Sequence, residues 1–184
     1  MEEQFDVTDL AGNDVGRLTT KEVAHKDGSP HRVAAVFVFQ KGQLLLQVHL
    51  GMGGQLDHTV GGHVSAGEDY ETAAKREMQE EIGLDAPLDV VKLDVLSDER
   101  FGEHQFVHLF GIFETQAPDN WSFLPNEEVN ELIPMPIEKV VEEMNKNPDQ
   151  FTRGFINTLE AYLEVKKSNL RINKQELLKN RKGV

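Results

Sequence analysis

The sequence predicts an α/β fold with a mixed β-sheet and helices on both of its faces. Three observations predict it. Strand-like and helix-like segments alternate without the regular rhythm of a doubly wound sheet. Two long apolar runs, 32–40 and 43–49, read as strands buried on both faces. Segments after residues 69, 136 and 150 carry apolar residues at helical spacing. A chain of 184 residues suits one domain with a single core and short extensions.

Residues 1–30 are polar, with apolar touches at Phe5, Val7, Leu10, Val15 and Leu18 and turn signals at Gly12-Asn13-Asp14 and Gly28-Ser29-Pro30. They predict an N-terminal hairpin extension ahead of a catalytic domain over 31–165. Arg32–Gln40 and Gln43–His49 flank Lys41-Gly42 and read as two buried strands joined by a tight turn. A glycine-rich loop over 50–57 and a short strand near 58–60 follow. Asp69 is a helix N-cap, Gly83 stands where a helix-ending glycine belongs, and Ala74, Met78 and Ile82 between them form an apolar stripe. Strands are expected over 88–96 and 105–114, separated by a charged loop, 97–104. A long polar loop over 119–128 holds the single tryptophan, Trp121. Pro136 opens a helix carrying Ile137, Val140, Val141 and Met144, and a further amphipathic helix spans 151–165. Residues 166–184 are basic and read as a tail or a loosely docked helix.

Nineteen Lys and Arg against 32 Asp and Glu leave a formal charge of -13. Such a balance argues against unaided binding to nucleic acid or to an anionic membrane. Without cysteine there is no disulfide framework, no thiolate metal site and no thiol nucleophile, which fits a reducing cytoplasm. The first residues lack the basic start and apolar run of a signal peptide, and no segment approaches the length of a membrane span, so a soluble cytoplasmic protein is expected.

The chemistry concentrates in residues 62–84. At 3.6 residues per turn, Glu77, Glu80 and Glu81 stand on one side of the helix, where their mutual repulsion calls for a divalent cation. A Glu-rich helix is ordinarily just a solvated face. Here Gly61, Gly62 and Gly67 punctuate the approach, as a loop that brings backbone close to a ligand requires, and the apolar stripe leaves a separate packing face.

The pattern G-x5-E-x7-R-E-U-x-E-E-x-G-U, with U bulky and apolar, is met in full by Gly62, Glu68, Arg76, Glu77, Met78, Glu80, Glu81, Gly83 and Leu84. It resembles the Nudix box. Over about residues 31–165 the order of elements also resembles the Nudix fold, an α/β/α sandwich. The resemblance implies a hydrolase that splits, with water, the pyrophosphate of a nucleoside diphosphate linked to another moiety, using Mg2+ or Mn2+. It makes Glu77, Glu80 and Glu81 metal ligands, with Gly61 or Gly62 adding a backbone carbonyl. Arg76 would orient the carboxylates by ion pairing. Glu68 would join the metal shell or pair with Arg76, the pairing having a slight lead. Glu128 matches the acidic residue that the family often has before its terminal helix, and is the candidate general base. Glu103 and His104 come next.

Ala24-His25, His31-Arg32 and Gly61-Gly62-His63 are similar to the isopentenyl diphosphate isomerase branch, where histidines in comparable places bind a separate divalent ion. His25, His31 and His63 are therefore a second metal site by resemblance. That branch uses a cysteine where this chain has Gly61, and glutamates in the segment matching Glu103 to Gln105, where only Glu103 is acidic. Glycine cannot move protons at a carbon centre, so the expectation is an isomerase-like hydrolase, with an isomerase or a nucleotide sensor without turnover as alternatives. Trp121 and Phe123 either stack on a base or pack into the core. The partner is a small diphosphate, and the hairpin offers an edge for a homodimer.

Overall fold

In the computed structural model the described residues are 3–181 apart from 50–52 and 102–103; side chains are described through residue 169, apart from those of 101 and 104. The organising strand is β3 (His31–Gln40). It pairs antiparallel with β1 (Phe5–Thr8), β4 (Gln43–His49) and β6 (Val60–His63), and parallel with β8 (His104–Gln116). β2 (Asp14–Thr19), β5 (Gln55–Asp57), β7 (Asp89–Phe101) and β9 (Leu132–Met135) complete a nine-stranded mixed sheet.

Alternation along β3 explains the layers. Val33, Ala35, Phe37 and Phe39 face one side, with Val140 and Met144 of α3 (Ile137–Lys146) and Phe155 and Leu159 of α4 (Arg153–Arg181). Ala34, Val36 and Val38 face the other, with Ala73, Ala74, Met78 and Ile82 of α2 (Tyr70–Ile82). A strand covered on both faces reads as a continuous apolar run. The expected sandwich is what the chain builds. The turn between β3 and β4 places Lys41 and Gly42 at φ 51° and 76°, the left-handed pair that suits a two-residue hairpin.

Several local expectations are corrected. The segment ahead of β3 holds the expected hairpin, but β1 joins β3 through Val7 and His31, and a short helix, α1 (Lys21–Asp27), follows it. α1 is capped by Thr20 and ended by Gly28; its length of about two turns gave too little periodicity to recognise. The strand expected near 58–60 is instead two strands, β5 and β6, so Gly61 and Gly62 lie within the sheet beside Ala35 and Ala34. The charged stretch Ser97–Phe101 is strand, not loop. It alternates in reverse: Ser97 and Glu99 are buried while Leu96 is exposed, because the inner side here faces a polar cavity. β9 and a 3-10 turn at Pro148–Gln150 were not anticipated. Pro136 serves as the N-cap of α3 rather than its first residue. α4 begins at Arg153 and remains helical to Arg181, the helix alternative for the basic terminus.

α2 is set onto the sheet by one close approach. The Tyr70 ring lies over Gly111, and its hydroxyl donates to the Leu109 carbonyl at 3.0 Å and to Asp94 at 3.1 Å. A Cβ on residue 111 would stand 2.5 Å from that ring. Gly111→Ala should lower stability by ~1–3 kcal/mol through overpacking, read as a lower urea midpoint with an unchanged m-value.

Candidate functional site

α2 delivers the carboxylates. Asp69 caps its start by accepting from the Thr72 N–H at 2.8 Å, and Gly83, in the left-handed region, ends it. Arg76 is the hub on its outer side. It donates to both oxygens of Glu68 at 3.2 and 3.0 Å, to Glu77 at 2.6 Å, to Glu80 at 3.2 Å and to the His63 carbonyl at 3.0 Å. Glu68 is thus engaged with Arg76 and with the Ser65 N–H. Burial works against ionising Glu68, but Arg76 and Ser65 outweigh it and hold its carboxyl below the usual range.

Glu81 lies on the inner side. It accepts from Gln47 at 3.1 Å. Burial, then the charges of Glu77 and Glu128, push its carboxyl up to about 8. Glu77 is also raised, by burial and by Glu80, against the pull of Arg76. Glu77 and Glu81, both hard to ionise without a counter-charge, are oxygen donors of the kind that suits a hard divalent cation. Gly62 is required here, since a Cβ would collide with the Glu77 side chain.

Glu128 is brought to the same place by Asn126, which sequence reasoning missed. The Asn126 amide donates to the Glu81 carbonyl at 2.8 Å, at the end of α2, while its carbonyl accepts from Glu128 N–H at 2.9 Å and Val129 N–H at 2.7 Å. Val129 is buried and anchors the loop. A polar amide one residue before two glutamates was the only hint in the sequence. Glu103 lies outside the described residues, as does the side chain of His104. Trp121 and Phe123 are half-buried and pack against the α2 side of the core.

A cavity of about 570 Å³ is lined by Glu81 and Glu128 and also by His25, His63, His108 and Glu99. His25 from α1, His31 from β3, His63 from β6 and His108 from β8 cluster, with one ring nitrogen from each lying within 4.8 Å of the others. Burial lowers all four, that of His25 to about 4, and neighbouring imidazoles add to the effect for His25, His63 and His108. His108 was missed. The alternation Phe106, His108, Phe110 in an expected strand was the available signal, a polar residue on an apolar face. Glu99, also missed, has its carboxyl 4.0 Å from His108 Nδ1 and is pushed up to about 7 by burial and by Asp57. Gly154, at the start of α4, makes room for it: a Cβ there would collide with Glu99.

The raised Glu81 has a signature in metal-free protein. Its folded pKa, about 8, exceeds the free value of 4.5, so across that window the native state holds a proton that the unfolded chain has lost. The stability it contributes is full below about 4.5 and disappears as pH rises through about 8. In chelator, Glu81→Gln should therefore gain Tm relative to wild type as pH rises across this window; parallel melting curves would contradict the assignment.

A family model of the NUDIX domain matches residues 29–155. The isopentenyl-diphosphate Delta-isomerase of Serratia proteamaculans is 29% identical over 174 residues, covering 86% of this chain and 90% of that protein. Nudix hydrolase 3 of Arabidopsis thaliana is 29% identical over 171 residues, 85% of this chain, which spans only 22% of that longer protein. A crystal structure from Deinococcus radiodurans superposes with a TM-score of 0.59 at 19% identity, covering 79% of this chain and 90% of that one, a likeness of fold.

Proposed function

The chain belongs to the NUDIX domain family, and on that premise we propose that it is a Mg2+- or Mn2+-dependent pyrophosphohydrolase acting on a nucleoside diphosphate linked to a small moiety. The observation that carries this reading is the meeting of Glu81 of the box and Glu128 at one cavity, with the charges of both Glu77 and Glu128 felt at Glu81. Glu77, Glu80 and Glu81 would hold the cation, with the Gly61 carbonyl as a further oxygen. When bound, such an ion neutralises phosphate oxygens and lowers the pKa of water.

The remaining work belongs to the protein's own residues. Arg76 keeps Glu77 and Glu80 turned toward one another and ties α2 to the β6 backbone through the His63 carbonyl. Gln47 fixes the Glu81 carboxyl in the cavity. Glu128, held by Asn126, is the general base that takes the proton from the attacking water. The acidic surroundings repel a bare diphosphate, so the substrate enters with its charge compensated by the cation.

The isomerase name of the Serratia relative favours a second reading, interconversion of two five-carbon diphosphates. Against it stand Gly61, where that branch has its cysteine, and Gln105, where it has an acid. A third reading is a nucleotide sensor without turnover. An intact set of box glutamates supports the hydrolase over both. The exposed Val15 and Leu18 of the edge strand β2 are where a second copy would pair in a homodimer. The expected location is the cytoplasm.

The deciding assay measures phosphate and nucleotide release from nucleoside di- and triphosphates, nucleotide sugars, dinucleotides and isoprenoid diphosphates, with and without Mg2+. Metal-dependent release lost in Glu80→Gln is expected. Isomerised five-carbon diphosphate without release would support the isomerase, and tight nucleotide binding without turnover the sensor. Separately, Glu128→Gln should lower kcat by roughly 10²–10⁴-fold with Mn2+ affinity nearly unchanged; a fall in Mn2+ affinity as large as that in kcat would make Glu128 a ligand instead.

A further inference from the structure

Part of the cavity wall is built from segments distant from the box. Asp57 at the end of β5, Glu99 of β7 and Thr152 just before α4 line it, together with the Phe110 ring of β8. Glu99 arrives there because β7 alternates in reverse and buries a side chain that strand pattern would leave in water. Gly154 gives it room: a Cβ there would stand 2.1 Å from a Glu99 oxygen. A glutamate is rarely buried unless paired, and among the described residues no side chain donates to this one.

Asp57 is held by one oxygen. Its Oδ1 accepts from the His58 N–H at 2.7 Å and from the Thr152 hydroxyl at 2.8 Å, and His58 Nδ1 lies 2.6 Å from the same atom. No described residue donates to Oδ2. Burial works against ionising Asp57, but His58 and Thr152 outweigh it and keep its carboxyl below the usual range, so Oδ2 is an acceptor only. Glu99 is pushed the other way, up to about 7, by burial and by Asp57. Two carboxyls that resist joint ionisation are relieved by N–H donors. Beside them His108 has both ring nitrogens buried without a hydrogen bond, and its Nδ1, 4.0 Å from Glu99, is too far to bond it directly. A polar atom seated between the two would satisfy both.

We propose that Asp57 and Glu99 form a base-recognition subsite that selects a nucleobase with an exocyclic amino group, adenine or cytosine rather than hypoxanthine or uracil. The inference rests on the pyrophosphohydrolase reading, which puts the diphosphate at the box acids of the same cavity. An amino group presents two N–H donors to the two carboxyls, and the ring nitrogen next to it accepts from Glu99 in its protonated form. A carbonyl at that ring position would set acceptor against acceptor at Asp57 Oδ2 and leave buried groups unpaired. Phe110, whose ring lies 5.3 Å from that of His58 between centroids, supplies an apolar surface for the base. An isoprenoid chain has no N–H to give and would bury both carboxyls unsatisfied.

The test is isothermal titration of the whole chain, with Mg2+, against the α,β-methylene diphosphates of cytidine, uridine, adenosine and inosine, which cannot be split at the bridge. In at least one of the two amino and oxo pairs the amino member should bind roughly 10–100-fold tighter. Glu99→Leu should remove that preference by weakening the amino member while sparing the oxo member. Should this variant not fold, Glu99→Gln is read instead, and a reduced preference is expected because its amide cannot supply both the charge and the acid proton of the carboxyl. Equal affinities within both pairs, tighter binding of the oxo members, or a preference undiminished in the folded variant overturns the subsite and leaves the hydrolase reading to the product-release assay. Failure of all four to bind overturns both.

Discussion

The parallel pairing of β3 with β8 is the constraint on which the rest of the structure depends. It runs from His31 opposite His108 to Phe39 opposite Gln116, and it makes β3 an interior strand with neighbours on both sides. An interior strand covered by helices on both faces must be apolar throughout, and Val33 to Phe39 are. A shift of one residue would turn the Phe37 and Phe39 side toward α2, where Ala73 and Ala74 leave space only for smaller neighbours. The same register would then separate His31 from His108. Packing and chemistry are thus fixed by one alignment of two strands.

The two candidate sites use that scaffold differently. The box site is helical: its carboxylates come from successive turns of α2 and need the sheet only as a wall, through Gly61 and Gly62. The absence of a side chain at Gly62 lets Glu77 pack onto the β6 backbone. The histidine cluster comes from three strands and a short helix, with members spread from residue 25 to residue 108. Arg76 connects them by holding Glu77 and Glu80 while donating to the carbonyl of His63. A shift of α2 along its axis would therefore be felt at both places.

Electrostatically, the cavity is arranged around groups that resist their usual charge. Glu81 and Glu99 are pushed upward and the four histidines downward, with burial the leading cause in each case. Perturbed groups of this kind gather at functional sites because cations, substrates or proton transfers relieve them. A net charge of -13 adds a general repulsion toward anionic ligands, so a cation bound at the box would serve both to relieve Glu81 and to admit phosphate.

The sequence by itself determined the box helix, its caps at Asp69 and Gly83, its apolar stripe and the two central strands. Each of these rests on relations of a few residues, which helical or strand periodicity fixes wherever the segment lies. Arg76 as an organiser of carboxylates was legible for the same reason. The tertiary structure alone decided that His108 completes the histidine cluster, that Glu99 turns inward from a charged strand, that Gln47 holds Glu81, and that Asn126 brings Glu128 beside it. These depend on register and on loop attachment between distant segments. Alternation shows which residues share a face, but only the pairing of one strand with another decides what stands opposite them.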